Sequence, residues 1–170
     1  KIRYIADIVD WGLCVGCGAC YAYCPYGAVH LADIESVGIR PQFDPLICTK
    51  CSECLAICPG YQIDTYILIG RPSAPLQENR DIGSFLEIWE GHSTDKRLRT
   101  AASSGGMLSA LASYCIERGG MRAVVHSGMN PERPWANQTV ISRSREDMLQ
   151  RVGSRYAPAS PCEGLRNMPD

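Results

Sequence analysis

Two copies of one cysteine pattern constrain this chain more than any other feature of its sequence. The run from Cys14 to Pro25 reads CVGCGACYAYCP, and the run from Cys48 to Pro59 reads CTKCSECLAICP. Each run is C-x2-C-x2-C-x3-C-P, and every cysteine of the second run follows its counterpart in the first by 34 residues (48 − 14). A repeat of this size predicts two copies of one small structural unit packed against each other.

The spacing within each run is typical of the ligands of a four-iron, four-sulfur cluster. Cysteines at i, i+3 and i+6 allow one tight turn to hold three corners of a cluster, and Gly16 and Gly18 suit such a turn because glycine adopts positive φ readily. In proteins with two such clusters, the fourth cysteine of each run binds the other cluster. The sequence therefore predicts two 4Fe-4S clusters. Their ligands are Cys14, Cys17, Cys20 and Cys58 for cluster 1, and Cys48, Cys51, Cys54 and Cys24 for cluster 2.

Two other uses of clustered cysteines stay open. Four thiolates also bind zinc in tetrahedral sites, although such a site does not require a third cysteine three residues on, followed by Cys-Pro. Disulfides fit less well, because the amino-terminal segment lacks the apolar stretch of a signal peptide and its closely spaced thiols favour a reducing compartment. We therefore expect a cytoplasmic protein.

Composition excludes several classes of protein. The 170 residues carry a formal net charge of −1, so no broad positive field indicates binding to nucleic acid. No apolar run approaches the roughly 18–20 residues that a transmembrane helix needs. The chain opens on Lys1 rather than Met and stops at Asp170 without a closing element, and from this we expect a fragment of a longer protein.

The chain divides into three parts by its patterns, and the fold class we expect is α+β. Residues 1–70 form a duplicated ferredoxin-type module, residues 71–84 a linker rich in proline and polar residues, and residues 85–170 the beginning of an α/β domain. The segment Val29–Asp44 has β character and predicts a hairpin-like connector between the two cysteine runs.

Helices and strands alternate in the pattern of the last part. FLEIW (Phe85–Trp89) predicts a strand, MRAVVHSG a buried strand, and QTVIS, within Trp135–Ser142, a further strand. The stretch AASSGGMLSALASYCIERGG predicts a helix that the two final glycines end. Its buried stripe would consist of Met107, Leu108, Leu111, Cys115 and Ile116. Arg145–Val152 predicts a second helix with Ser144 as N-cap and Asp147 at the capping-box position.

The segment Ser103, Ser104, Gly105 and Gly106 precedes the apolar part of the first helix. Small residues let a ligand approach the backbone, and the positive end of a helix favours phosphate. The alternative, which spacing alone favours, is that Ser104 caps the helix while the glycines permit close packing.

Two cysteines fall outside the repeats. Cys115 lies on the predicted buried stripe, and Cys162 lies in the loop SPCEG, whose pattern leaves open whether it is reactive or touches a cofactor.

Three features together resemble the coenzyme F420 hydrogenase/dehydrogenase beta-subunit family. They are the double cysteine module, the block EIWEGHSTDKRLRTAASSGGMLSALASYC, and the later VGSRYAPASP. The resemblance implies an iron–sulfur flavoprotein that contains FAD and works with a partner protein, coenzyme F420 or another small-molecule acceptor. It also implies contact of Ser103–Gly106 with the flavin phosphate. The larger carboxy-terminal domain of that family is absent from these residues, and the resemblance assigns no catalytic residue.

Two functions of different classes remain on the sequence evidence. The first is an oxidoreductase that moves electrons between two 4Fe-4S clusters and FAD, to or from coenzyme F420. The second is a non-catalytic, ferredoxin-like subunit that docks onto a partner oxidoreductase and binds no flavin.

Overall fold

The computed structural model describes residues 1–63 and 74–168. In those ranges short helices are combined with three two-stranded antiparallel sheets, which confirms the α+β class. The predicted boundary between the first domain and the linker, at residues 70 and 71, lies outside the described residues. No helix within the described residues is long and apolar enough to cross a membrane.

The first half is built around its own cysteines. It comprises α1 (Ile5–Asp10), α2 (Ala19–Tyr23), β1 (Val29–Ile34), β2 (Gly38–Phe43) and α3 (Glu53–Ala56). Its buried core consists of Ile5, Ile8, Cys20, Val29, Leu55 and Cys58. Two of these six side chains are predicted cluster ligands, so the hydrophobic core and the predicted metal sites occupy the same part of the fold.

The predicted hairpin between the two runs is confirmed. Strands β1 and β2 pair antiparallel with Val29 opposite Phe43 and Ile34 opposite Gly38. Helix α2 ends at Tyr23, and Cys24 has extended backbone before Pro25, as expected because proline disfavours helical geometry in the residue before it. The hairpin then carries the chain back to the start of the second run.

The second half contains nine described elements. They are β3 (Gln77–Asn79), β4 (Gly83–Phe85), α4 (Lys96–Ala101), a 3₁₀ turn (Ser104–Gly106), α5 (Met107–Glu117), β5 (Val124–Met129), β6 (Asn137–Ser142), α6 (Arg145–Leu149) and a 3₁₀ segment (Pro161–Asn167). The predicted strand at Phe85–Trp89 is wrong. The strand is Gly83–Phe85, which pairs with β3 inside the predicted linker, while Ile88 and Trp89 are 65% and 84% exposed.

Helix α4 was not expected, because its residues are polar. Asp95 begins it by accepting hydrogen bonds from the backbone N–H groups of Arg97 and Leu98, at 2.8 and 3.2 Å. Asp95 also forms an ion pair with Arg145, which ties α4 to α6. Leu98 is the one buried residue of the helix, so a single apolar side chain anchors it.

Helix α5 confirms the predicted helix but not its predicted buried stripe. Leu108 is 83% exposed and Leu111 is 54% exposed, whereas Ser113 is buried. The helix packs on its neighbours α4 and α6. Met107, Cys115 and Ile116 of the predicted stripe are half-buried, so apolar periodicity identified the helix but only part of the side that is covered.

Strands β5 and β6 are confirmed as elements, but they pair with each other as an antiparallel hairpin. The alternation of helix and strand therefore does not produce the expected α/β arrangement in the described residues. The predicted buried strand β5 is only half-buried along most of its length. Helix α6 has the predicted capping box, with Ser144 and Asp147 bonded to each other's backbone, and it ends at Leu149 rather than Val152.

Candidate metal centres

The structure brings the eight cysteines of the repeat together as two groups of four. One cavity is lined by Cys14, Cys17, Cys20 and Cys58, and we call it site 1. The other is lined by Cys48, Cys51, Cys54 and Cys24, and we call it site 2. Each site therefore combines three cysteines of one run with the fourth cysteine of the other, which is the grouping that crossed ligation requires.

The thiols of each site line the wall of a cavity instead of converging on one point. Within residues 1–63 and 74–168, no group of three or more His, Cys, Asp or Glu side chains is arranged to hold a single metal ion. The site 2 cavity has the larger volume, about 320 Å³, compared with about 20 Å³ for the site 1 cavity. Each cavity is lined by four cysteines, which is the number of ligands that a four-iron cluster takes.

The two sites differ in how far they are shielded from water. Cys20 and Cys58 of site 1 are buried, whereas Cys51 of site 2 is exposed. Burial, together with the neighbouring Cys17 and Cys14, raises the pKa of the Cys20 thiol to about 12. Burial and Cys51 also raise the pKa of Cys54. Since metals bind thiolates, iron binding must displace these protons, and it is therefore coupled to pH.

Both cysteine loops use the same left-handed backbone, although only the first is glycine-rich. Gly16 and Gly18 have φ of 71° and 81°, and the equivalent Lys50 and Ser52 have φ of 59° and 69°. The first pair is buried and the second pair is exposed. The second loop therefore adopts the conformation of the first without glycine at these positions.

Glycine is required in the first loop by its neighbours. A Cβ at Gly16 would lie 2.9 Å from the carbonyl oxygen of Ile39. A Cβ at Gly18 would lie 3.1 Å from both the backbone nitrogen of Glu163 and the Cβ of Ser160. Residues from the far end of the chain therefore pack directly on the loop of site 1.

Sequence reasoning missed three of the residues that make this contact. Ser160, Cys162 and Arg166 each bond to the backbone of the first loop or of α2. The only sequence signal was the position of Cys162 outside the repeats, and a contact between residues so distant along the chain leaves no local pattern.

The segment Ser103–Gly106, part of the block EIWEGHSTDKRLRTAASSGGMLSALASYC, contacts the later VGSRY motif. The Oγ of Ser103 accepts a hydrogen bond of 2.9 Å from the backbone N–H of Ser154, which belongs to VGSRY. Ser104 is not the predicted cap: it has a left-handed φ of 51°, and Gly106 is the residue that precedes α5. The structure thus joins the two motifs through Ser103, which the sequence did not indicate.

Packing accounts for both glycines of this segment. A Cβ at Gly105 would lie 2.9 Å from the Cβ of His92, and a Cβ at Gly106 would lie 2.9 Å from the carbonyl oxygen of Leu98. Both glycines also have positive φ, at 68° and 73°. They are therefore needed for the fold, whether or not a ligand binds beside them.

Replacing Gly106 by alanine is expected to lower the free energy of unfolding by about 2–5 kcal/mol, from left-handed strain and crowding together. Gly120 is a matched control, because its φ is 69° and nothing lies within 4 Å of a Cβ there. Gly120→Ala should cost only about 1–2 kcal/mol, from strain alone. Thermal denaturation of the two variants makes the comparison, and equal losses would contradict the role assigned to packing at Gly106.

Comparison with protein families gives two matches along the chain. Residues 13–61 match the 4Fe-4S dicluster domain. Residues 88–165 match the family described as coenzyme F420 hydrogenase/dehydrogenase, beta subunit N-term. The resemblance inferred from the sequence is therefore confirmed, and the dicluster match supports iron–sulfur clusters.

Individual relatives extend over more of the chain. One of the F(420)H(2) dehydrogenase subunits of Methanosarcina mazei is 24% identical over 169 residues, which are 95% of this chain and 44% of that protein. The coenzyme F420-dependent sulfite reductase of Methanocaldococcus jannaschii is 24% identical over 161 residues, 94% of this chain and 22% of that protein. The chain thus spans less than half the length of these relatives.

A solved structure is also similar in part. It comes from the F420-reducing [NiFe] hydrogenase complex of Methanosarcina barkeri, with 33% sequence identity and a TM-score of 0.39. The match covers 41% of this chain and 24% of that chain.

Proposed function

We propose that this chain, which carries a 4Fe-4S dicluster domain followed by the N-terminal domain of the coenzyme F420 hydrogenase/dehydrogenase beta-subunit family, transfers electrons between two clusters and a flavin. The observation that carries the proposal is the pair of four-thiol cavities within one packed core. Bound four-iron clusters supply one-electron transfer at potentials that the surrounding protein sets.

The residues of the chain hold and shield the proposed clusters. At each site the ligands would be the four thiolates named above. Because Cys24 and Cys58 each cross to the other site, neither run can move without disturbing both sites. Ile5 and Ile8 of α1 are buried against the same core, with exposures of 3% and 0%. They would exclude water from the inner side of the cysteine loops. The ligands must stay reduced, so the proposal also requires a reducing compartment such as the cytoplasm.

The proposed flavin would be FAD, bound beside the Ser103–Gly106 segment. Support comes from the junction of that segment with VGSRY through Ser154, and from the family to which residues 88–165 belong. A separate cleft of about 610 Å³, which Ser103–Gly106 do not line, lies between the β1–β2 hairpin and the second half and has a usual size for a cofactor site. Leu31 lines both this cleft and site 1, so a group in the cleft would lie one side chain away from site 1. The aromatic ring of Trp135 is 75% exposed at the cleft and offers a stacking surface.

The proposed partners are a redox subunit and a small-molecule acceptor. The names of the relatives refer to coenzyme F420 or its reduced form, and we propose that the whole protein passes electrons to or from coenzyme F420. The chemistry is then that of an oxidoreductase whose hydride step belongs to the flavin.

A second candidate function is a carrier subunit that binds clusters but no flavin. It is favoured by one observation, namely that packing alone accounts for Gly105 and Gly106. On this view the second half serves only to dock the module onto a partner.

The experiment that separates the two candidates is anaerobic purification of the whole gene product, with absorption spectra and assays for iron and flavin. We expect about eight irons per chain, as two four-iron clusters require, together with one flavin. Eight irons without flavin would leave the carrier as the function. A colourless protein that contains zinc would overturn the cluster assignment itself.

A further inference from the structure

The segment Ser160–Asn167 lies between the two halves of the protein. On one side it crosses the β5–β6 hairpin, where Gly164 is so close that a Cβ would lie 2.8 Å from the Cγ2 of Thr139 and 2.9 Å from the Cγ1 of Val125. The Oγ1 of Thr139 also donates a 2.8 Å hydrogen bond to the carbonyl oxygen of Ser160. The segment is therefore firmly attached to the second half.

Its other side makes three polar contacts with the first half. The Oγ of Ser160 donates a buried hydrogen bond of 2.6 Å to the carbonyl oxygen of Gly16. The backbone N–H of Cys162 donates to the carbonyl oxygen of Cys17 at 2.9 Å. The guanidinium of Arg166 donates to the carbonyl oxygen of Tyr21 at 2.9 Å and lies 4.7 Å from the centre of the Tyr21 ring. All three contacts are made with the site 1 loop or with the helix that continues it.

The Cys162 side chain is placed beside a predicted cluster ligand. The backbone bond between Cys162 and Cys17 brings these two residues together. A thiol is a weak donor and a thiolate accepts readily, so a bond between the two side chains would run from Cys162 to Cys17. Donors directed at ligand sulfur are among the features that set the potential of an iron–sulfur cluster.

Site 2 has no such cover among the described residues. The repeat offset of 34 residues makes Lys50, Cys51 and Ser52 the equivalents of Gly16, Cys17 and Gly18. All three are exposed, whereas Gly16 and Gly18 are buried. The two sites are thus equivalent in sequence but not in surroundings.

We propose that the segment Ser160–Asn167 makes site 1 the cluster site that faces the second half, with Cys162 as a positioning residue that donates its thiol hydrogen to the sulfur of Cys17. This inference rests on the proposed function, since it requires Cys17 to be a cluster ligand.

The test compares Cys162→Ala with Cys162→Ser in the whole protein, purified without oxygen and titrated electrochemically while electron paramagnetic resonance is recorded. Cys162→Ala loses the donor. At a fixed ambient potential, the fraction of one cluster that is in the reduced state should therefore fall about two- to tenfold, as expected for the loss of one hydrogen bond. The other cluster should be unchanged. Cys162→Ser keeps a donor and should restore the wild-type value. Cys115→Ala is the matched control, because Cys115 lies on α5 outside both sites.

A second measurement identifies which site has changed. After brief treatment with an iron chelator, alkylated cysteines are mapped by mass spectrometry. In Cys162→Ala, alkylation of Cys14, Cys17 and Cys20 should become faster, and that of Cys48 and Cys51 should not. No shift of either potential, or a change at site 2, would overturn the inference. A wild-type protein with fewer than about eight irons would instead refute the proposed function, so the two failures are distinguishable.

Discussion

Replacing Cys24 by serine is expected to remove the cluster at site 2 and to leave the cluster at site 1 in place, although Cys24 belongs to the first cysteine run in sequence. The thiol of Cys24 lines the same cavity as Cys48, Cys51 and Cys54. Serine is a poor replacement because its hydroxyl does not ionise as a thiol does. The iron content should fall from about eight to about four per chain, since each cluster holds four irons.

Alkylation identifies the cluster that is lost. In anaerobic Cys24→Ser protein, the thiols that become reactive should be those of Cys48, Cys51 and Cys54. Cys58→Ser is the reciprocal variant and should expose Cys14, Cys17 and Cys20, whose cavity Cys58 completes. Cys115→Ser should keep all the iron. Reactive thiols at the first run in Cys24→Ser would show that each run binds its own cluster and would contradict crossed ligation.

Replacing Gly18 by serine is expected to loosen the contact between the two halves and to lower the free energy of unfolding by about 2–5 kcal/mol. Gly18 has a φ of 81°, and a Cβ there would lie 3.1 Å from the Cβ of Ser160 and from the backbone nitrogen of Glu163. Because that backbone is held by its own hydrogen bonds, the segment Ser160–Asn167 must shift to make room. Thermal denaturation and hydrogen exchange of residues 160–167 measure the two effects.

The repeat supplies a control at the equivalent position of the second loop. Ser52 already carries a side chain at a φ of 69°, and it is exposed. Ser52→Gly should change the free energy of unfolding by no more than about 1 kcal/mol, because relief of strain is offset by the greater freedom of glycine in the unfolded chain. It should leave exchange of residues 160–167 unchanged. If Gly18→Ser were as mild as Ser52→Gly, the packing of this segment on site 1 would be refuted.

Local patterns predicted the elements whose causes are local. The hairpin of β1 and β2, the α5 helix and the capping box at Ser144 all follow from residues a few positions apart, and all were predicted. Predictions that required knowledge of a neighbour were less successful. FLEIW (residues 85–89) has the composition of a strand but has no paired strand beyond Phe85. Leu108 and Leu111 lie on the predicted apolar stripe of α5, yet both are exposed, whereas Ser113 is buried.

The same difference between local and distant causes decides which properties of the candidate sites could be predicted from the sequence. The spacing of the eight cysteines by itself predicted two groups of ligands, because in proteins with two such clusters the fourth cysteine of each run binds the other cluster. It also made the two sites equivalent, since the repeat treats both runs alike. Only the tertiary structure made them different. Ser160, Cys162 and Arg166 come from the far end of the chain and pack on Gly16, Cys17 and Tyr21, and contacts over some 145 residues arise from the fold as a whole. Glycine at position 18 is therefore explained by the segment that lies on it, and not by the conformation that both loops share.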